Sequence, residues 1–145
     1  MTMIDVSGKT IVLREATAIG NIYLKRKTVE LIKNQKIVKG NPLYTAKIAA
    51  ILAAKKTSEI IPLCHPLPLT NVVVEVTIID DKTIQVKTAV KTKAQTGVEM
   101  EALTATSVAL LTIWDMVKQY EKDFAGQYPS TKIGNIIVEK KYKQA

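Results

Sequence analysis

The stretch from Asn71 to Tyr120 constrains the fold of this chain more than any other. Asn71-Val-Val-Val-Glu-Val-Thr-Ile-Ile and Thr83-Ile-Gln-Val-Lys-Thr-Ala-Val-Lys read as two successive strands, with apolar and polar residues in alternation. Asp80-Asp81-Lys82 leaves room between them only for a short hairpin connection. Lys87, Lys91 and Lys93 fall at even spacing, which places them on one face of the second strand, read as solvated. Thr96-Gly97-Val98-Glu99 then opens the longest helix with the pattern of a capping box, in which Glu99 would bond back to the Thr96 amide. Leu103, Val108, Leu111, Trp114, Val117 and Tyr120 recur at helical spacing, and Gly126 and Pro129 end the run.

The rest of the chain completes one domain over residues 1–145, with no repeat, linker or low-complexity tract. Met1 to Lys9 has mixed polar character and is expected to be loosely ordered. Thr10 to Tyr23 reads as a strand and Thr28 to Asn34 as a short helix. Asn41-Pro42 supplies an N-cap residue and a proline at the first helical position. The helix that follows, through Lys56, is apolar almost all round and is expected to be largely buried. Pro62, Pro66 and Pro68 forbid regular helix from Ile61 to Pro68, and Ile133 to Glu139 reads as a last strand. The order strand, helix, two strands, long helix, strand predicts an α+β domain, a ferredoxin-like antiparallel sheet with helices packed on one face.

A formal charge of +8 favours anionic partners such as nucleic acid, a membrane surface or a phosphorylated metabolite. Of 21 basic residues, only Arg14 and Arg26 are arginine, the usual bidentate reader of guanine, so base-specific DNA recognition is poorly equipped. Lysine still grips phosphate as a point charge. The longest nearly apolar run, Ile48 to Ala54, is far short of the ~20 residues that span a bilayer. With no secretory pattern and one cysteine, Cys64, the expected compartment is the reducing cytoplasm.

Three places depart from what a plain core would want. Leu63-Cys64-His65-Pro66 carries the only histidine and the only cysteine, on a proline-braced loop. That suits either a structural histidine or one placed against a ligand; zinc would need further thiol or imidazole ligands, and the chain has none. Glu99 and Glu101 stand at a helix start, where the ionised forms are stabilised and would accept from ligand N–H groups. Glu101 alternatively reads as a surface charge. Asp115 and Lys118 lie three apart on one helix face, as an ordinary surface ion pair or a pair tuned for proton transfer. Fourteen positions separate Glu101 from Asp115, roughly 21 Å of helix, so one substrate atom cannot touch both within one chain. If both matter, a second subunit supplying one end is the favoured explanation. Lys39-Gly40 before the proline-started helix and Lys55-Lys56 at its close bracket a segment suited to a triphosphate.

These segments resemble the MoaC family. Lys39-Gly40, Ala53-Ala54-Lys55-Lys56-Thr57, Ile61-Pro62-Leu63-Cys64-His65-Pro66-Leu67, Thr96-Gly97-Val98-Glu99-Met100-Glu101-Ala102-Leu103 and Leu111-Thr112-Ile113-Trp114-Asp115-Met116-Val117-Lys118 follow in the family's order. Asp5-Val6-Ser7-Gly8-Lys9 and Arg14-Glu15-Ala16 match as well. The resemblance implies the cyclic pyranopterin monophosphate synthase reaction of molybdenum-cofactor biosynthesis. In it a phosphorus–oxygen lyase converts 3′,8-cyclo-7,8-dihydroguanosine triphosphate to a pyranopterin with a cyclic phosphate, releasing diphosphate. No redox step, metal or cofactor is implied. Carried over by resemblance, Asp115 is catalytic with Lys118 as its proton-transfer partner, and Leu63, Cys64, His65, Glu99 and Met100 bind substrate. Lys39, Lys55, Arg14, Glu101 and Lys140 also fall on positions associated with the site. The family further implies a homohexamer, a trimer of dimers with sites between subunits. This chain departs from the Lys-x-Gly-Gly-Lys-Ser-Gly tail of many bacterial members, reading Glu139-Lys140-Lys141-Tyr142-Lys143 there. Trp114 stands where tyrosine is frequent and Val117 where cysteine is.

Two rivals stand beside this reading. A nucleic-acid module on such a sheet would stack bases on exposed aromatics, yet the strands between Asn71 and Lys93 contain none. A purely structural oligomer would leave Asp115 and His65 without a chemical role.

Overall fold

The computed structural model describes all residues from Met1 to Ala145. Strand β1 (Val12–Tyr23) leads through helix α1 (Arg26–Lys33) to α2 (Pro42–Lys55) and a single turn, α3 (Thr57–Ile60). The hairpin strands β2 (Leu69–Asp80) and β3 (Thr83–Ala94), the long helix α4 (Glu99–Glu121) and strand β4 (Lys132–Lys143) follow. All pairings are antiparallel in the order β2-β3-β1-β4. Each crossover, β1 to β2 through α2 and β3 to β4 through α4, skips one strand, which is the ferredoxin-like split arrangement.

Alternation decides which face is covered. Ile22 of β1 and Ile84 and Val86 of β3 are buried with Ala105, Ala109, Leu110, Ile113 and Val117 of α4, while Ala16, Ala18 and Val90, on the same side, cluster with Val98 and Ala102. The other face is open. There Lys91 pairs with Glu15 at 3.3 Å and Lys87 with Glu139 at 3.5 Å, the solvated face that the lysine spacing predicts.

Three expectations need correction. Helix α4 starts at Glu99 with Val98 as N-cap and no side-chain cap bond, so the capping box does not form. Helix α2 is not enclosed: Ala46, Ala50, Ala53 and Ala54 are buried, while Tyr44, Ile48 and Leu52 are exposed because nothing covers the outer side of a single helical layer. Strand β4 runs past Glu139 to Lys143, since backbone pairing of Lys140–Lys143 with Arg14–Thr17 outweighs the poor strand propensity of the lysines. The 23 residues of α4 are long and apolar enough to cross a bilayer by length and composition, but half of that window is buried in the chain.

Candidate active site

The predicted site residues gather at the two ends of α4. At its N-terminal end, the loop after α3 cannot be helical because of its prolines and is left to present Leu63, Cys64 and His65. With Ile4, Val6, Lys9, Thr96, Gly97, Glu99 and Met100 these line a cleft of about 440 Å³. His65 Nε2 donates to the Ile4 carbonyl at 2.7 Å, so the N-terminal segment orients the ring and leaves Nδ1 free for a ligand. Arg14 donates through Nε and Nη2 to the carbonyls of Ala94 and Gln95, each at 3.2 Å, and so holds the chain entering α4.

Two carboxyls at this helix start have opposite fates. Partial burial raises the Glu99 carboxyl, but the hydrogen bond from its own backbone amide, an ion pair with Lys141 at 3.0 Å and the charge of Arg14 outweigh it. Glu99 therefore ionises below the usual carboxylate range. A side chain at Gly97 would lie 2.8 Å from the Glu99 carboxyl carbon, so glycine there keeps that space open. Glu101 is 3% exposed. Desolvation pushes its carboxyl up, against the hydrogen bonds from its own amide and from Cys64, and the Glu99 charge adds to the rise. Cys64 Sγ donates to Glu101 Oε2 at 3.8 Å, and burial followed by the Glu101 charge raises the thiol. Glu101 Oε1 is buried without any partner. Against the expectation that the helix start stabilises both carboxylates as anions, burial outweighs it at Glu101 and raises that carboxyl.

At the other end, Asp115 receives two ammonium groups. Lys118 Nζ lies 3.1 Å from Oδ1, while Lys39 Nζ lies 3.1 Å from Oδ2 and 3.0 Å from the Asp115 carbonyl. Lys118 and then Lys39 hold the Asp115 carboxyl below its ordinary value. The cluster is exposed and borders a hollow of about 400 Å³ that Leu111, Trp114 and Ile133 line. Trp114 is fixed edge-on to Tyr128 with ring centres 5.2 Å apart.

Lysines 39 and 55 do not bracket one loop, as their order suggests. Helix α2 runs 14 residues between them, about 21 Å, so Lys39 reaches Asp115 while Lys55 stays in the last turn of α2. Lys140 pairs with Thr17 on the open face of the sheet, away from Glu99. The neighbouring Lys141, opposite Ala16 on the covered face, makes the contact instead. Sequence reasoning missed Lys141; strand alternation continued from Ile133 would have pointed to it only if the bulges in the β1–β4 register had been known.

A ferredoxin-like domain with a carboxylate between two lysines at one end, and a buried carboxyl of raised pKa against a cysteine at the other, has the equipment of a proton-transferring enzyme for a small anionic substrate. The profile of the MoaC family matches residues 3–143, and the chain belongs to that family. It is 59% identical over 97% of its length to a Sulfolobus acidocaldarius protein named "Probable cyclic pyranopterin monophosphate synthase", covering 98% of that protein. A Methanothermobacter thermautotrophicus relative, "Probable cyclic pyranopterin monophosphate synthase accessory protein", is 60% identical over 97% of this chain and 88% of its own length. A Pyrococcus horikoshii relative with the synthase name is 54% identical, over 97% of this chain and 88% of its own.

Proposed function

We propose that this chain is a cyclic pyranopterin monophosphate synthase, a lyase that converts the cyclised dihydroguanosine triphosphate to cyclic pyranopterin monophosphate and diphosphate. The observation that carries this reading is the cluster of Asp115 between Lys39 and Lys118, in a chain with near full-length identity to proteins of that name. Intramolecular attack of a substrate hydroxyl on the α-phosphorus breaks its bond to the bridging oxygen and expels diphosphate, so one proton must leave and two charges must be stabilised. Asp115 is the base and Lys118 its proton partner. Arg14, His65 and Lys55 hold the triphosphate, and positive charge placed there favours the leaving group. Glu99 accepts from N–H groups of the ring system, Glu101 donates a proton, and Leu63, Cys64 and Met100 wall the cleft. The reaction needs no electron transfer, so no cofactor is invoked.

The two clusters sit roughly 21 Å apart along α4. A second copy that brings its Asp115 end to the His65 end of the first would complete one site, in keeping with a homohexamer built as a trimer of dimers. The apolar stripe of Tyr44, Ile48 and Leu52, left uncovered on α2, supports such packing. With one thiol and no disulfide, the cytoplasm is its place of work.

Diphosphate release from freshly prepared cyclised substrate tests the assignment, comparing wild type with Asp115→Asn and Lys118→Ala of matched assembly by light scattering. Turnover by wild type that both variants lose is the expected result. A folded, oligomeric wild type without turnover would sink the reading.

A further inference from the structure

The segment between α1 and α2 delivers Lys39 to Asp115, and little in the segment itself determines where Lys39 goes. It contains no helix or strand, Val38 is 80% exposed, and Gly40 sits at φ +118°, a conformation that side chains rarely adopt. Ile37 anchors its centre in the core, and the Gly40 amide donates to the Ile37 carbonyl at 3.1 Å. Between these points, the Val38 amide donates at 2.9 Å to the hydroxyl of Tyr120, five residues beyond Asp115 on α4. Met116 and Tyr120 share one helix face toward the segment, while Asp115 and Lys118 share the next. One stretch of helix thus presents both the carboxylate and the tether that brings its ammonium partner.

We infer that Tyr120 is a positioning residue for the reaction: its hydroxyl fixes the backbone beside Lys39 and thereby sets the Lys39–Asp115 contact. The inference rests on the proposed function, in which Asp115 is the base, and adds that Lys39 is one of the two ammonium groups that hold it. The ring and the hydroxyl have separable duties. The ring packs against the main core, a task phenylalanine performs equally, whereas the hydroxyl has the Val38 amide as its partner. Without it, the backbone beside Lys39 loses its bond to α4 and is held only through Ile37 and Gly40, and the Lys39 ammonium spends less time on Asp115.

The test compares wild type, Tyr120→Phe, Lys39→Ala and the double variant in the diphosphate-release assay, with the carboxyl resonance of Asp115 followed by NMR titration. Tyr120→Phe is expected to lower kcat roughly threefold to tenfold, the worth of one hydrogen bond, with little change in KM. The same change in the Lys39→Ala background is expected to have no further effect. The Asp115 titration midpoint in Tyr120→Phe is expected to move up toward the ordinary carboxylate range. An unchanged kcat and midpoint in Tyr120→Phe would overturn the inference, as would equal losses with and without Lys39. Full activity of Lys39→Ala would instead show that the Lys39–Asp115 contact is not needed for turnover, and would overturn the inference.

Discussion

Glu101 shows how little of a residue's chemistry its identity reveals. In the sequence it is one acid of a Glu-x-Glu pair at a helix start; in the fold it is shut against Cys64 with one oxygen unpartnered. Its burial depends on the proline-bound loop folding over it, and no local pattern encodes that contact. Asp115 and Lys118 were legible because three-residue spacing on a helix guarantees a shared face, and their ion pair forms as expected. Lys39 was named as a site residue, but its contact with Asp115 was not legible, because that reach is set by where a 14-residue helix begins. A pH dependence follows from Glu101. The folded chain keeps a proton that the unfolded chain releases above the ordinary value of 4.5, so stability falls as pH rises from there toward the raised folded value. Glu101→Gln, neutral at every pH, removes that fall. Thermal melts should show the variant gaining on wild type as pH rises above 4.5, while diphosphate release is lost. A melting difference that stays constant across pH would argue against a raised Glu101 carboxyl.

Elements were read well where periodicity carried them and poorly at their ends. The β2–β3 hairpin and α4 follow directly from alternation and helical spacing. The start of α4 slipped because Glu99 found a better partner in Lys141 than in the Thr96 amide, a choice made by a strand that lies beyond the helix in sequence. The turn α3 went unread, being too short to show a period. The end of α4 carries a device that composition also hides. Glu121, fully buried, accepts from the Lys25 amide at 3.1 and 3.2 Å, from the Thr28 hydroxyl, and from the Thr131 hydroxyl at 2.6 Å. One carboxyl therefore joins the exit of β1, the first turn of α1 and the approach to β4. Glu121→Ala strands these donors inside the protein and should cost about 3 kcal/mol in urea unfolding. A loss below about 1 kcal/mol would mean water replaces the carboxyl.

At the scale of the whole molecule, the division of the site between two ends of one helix makes a statement about subunits. Glu101→Gln damages one end and Asp115→Asn the other, so each homo-oligomer is expected to be inactive alone. Co-refolded in equal amounts, the two chains should recover about a quarter of wild-type turnover, because that share of sites draws both ends from intact partners. No recovery in mixed assemblies would place both ends of the site in one chain. The central position of β1 has a consequence in time. Its neighbours β3 and β4 come late in the chain, and the contact of Leu13 with Gln144 joins positions 131 apart. The hairpin β2–β3 closes locally, but β1 must wait with an unpaired edge until β4 arrives, a slow, high-contact-order step. Lys141 travels on that last strand. A chain caught before the final closure would carry most of its core and yet lack the cation that pairs with Glu99, so the finished site should be the last property acquired during folding.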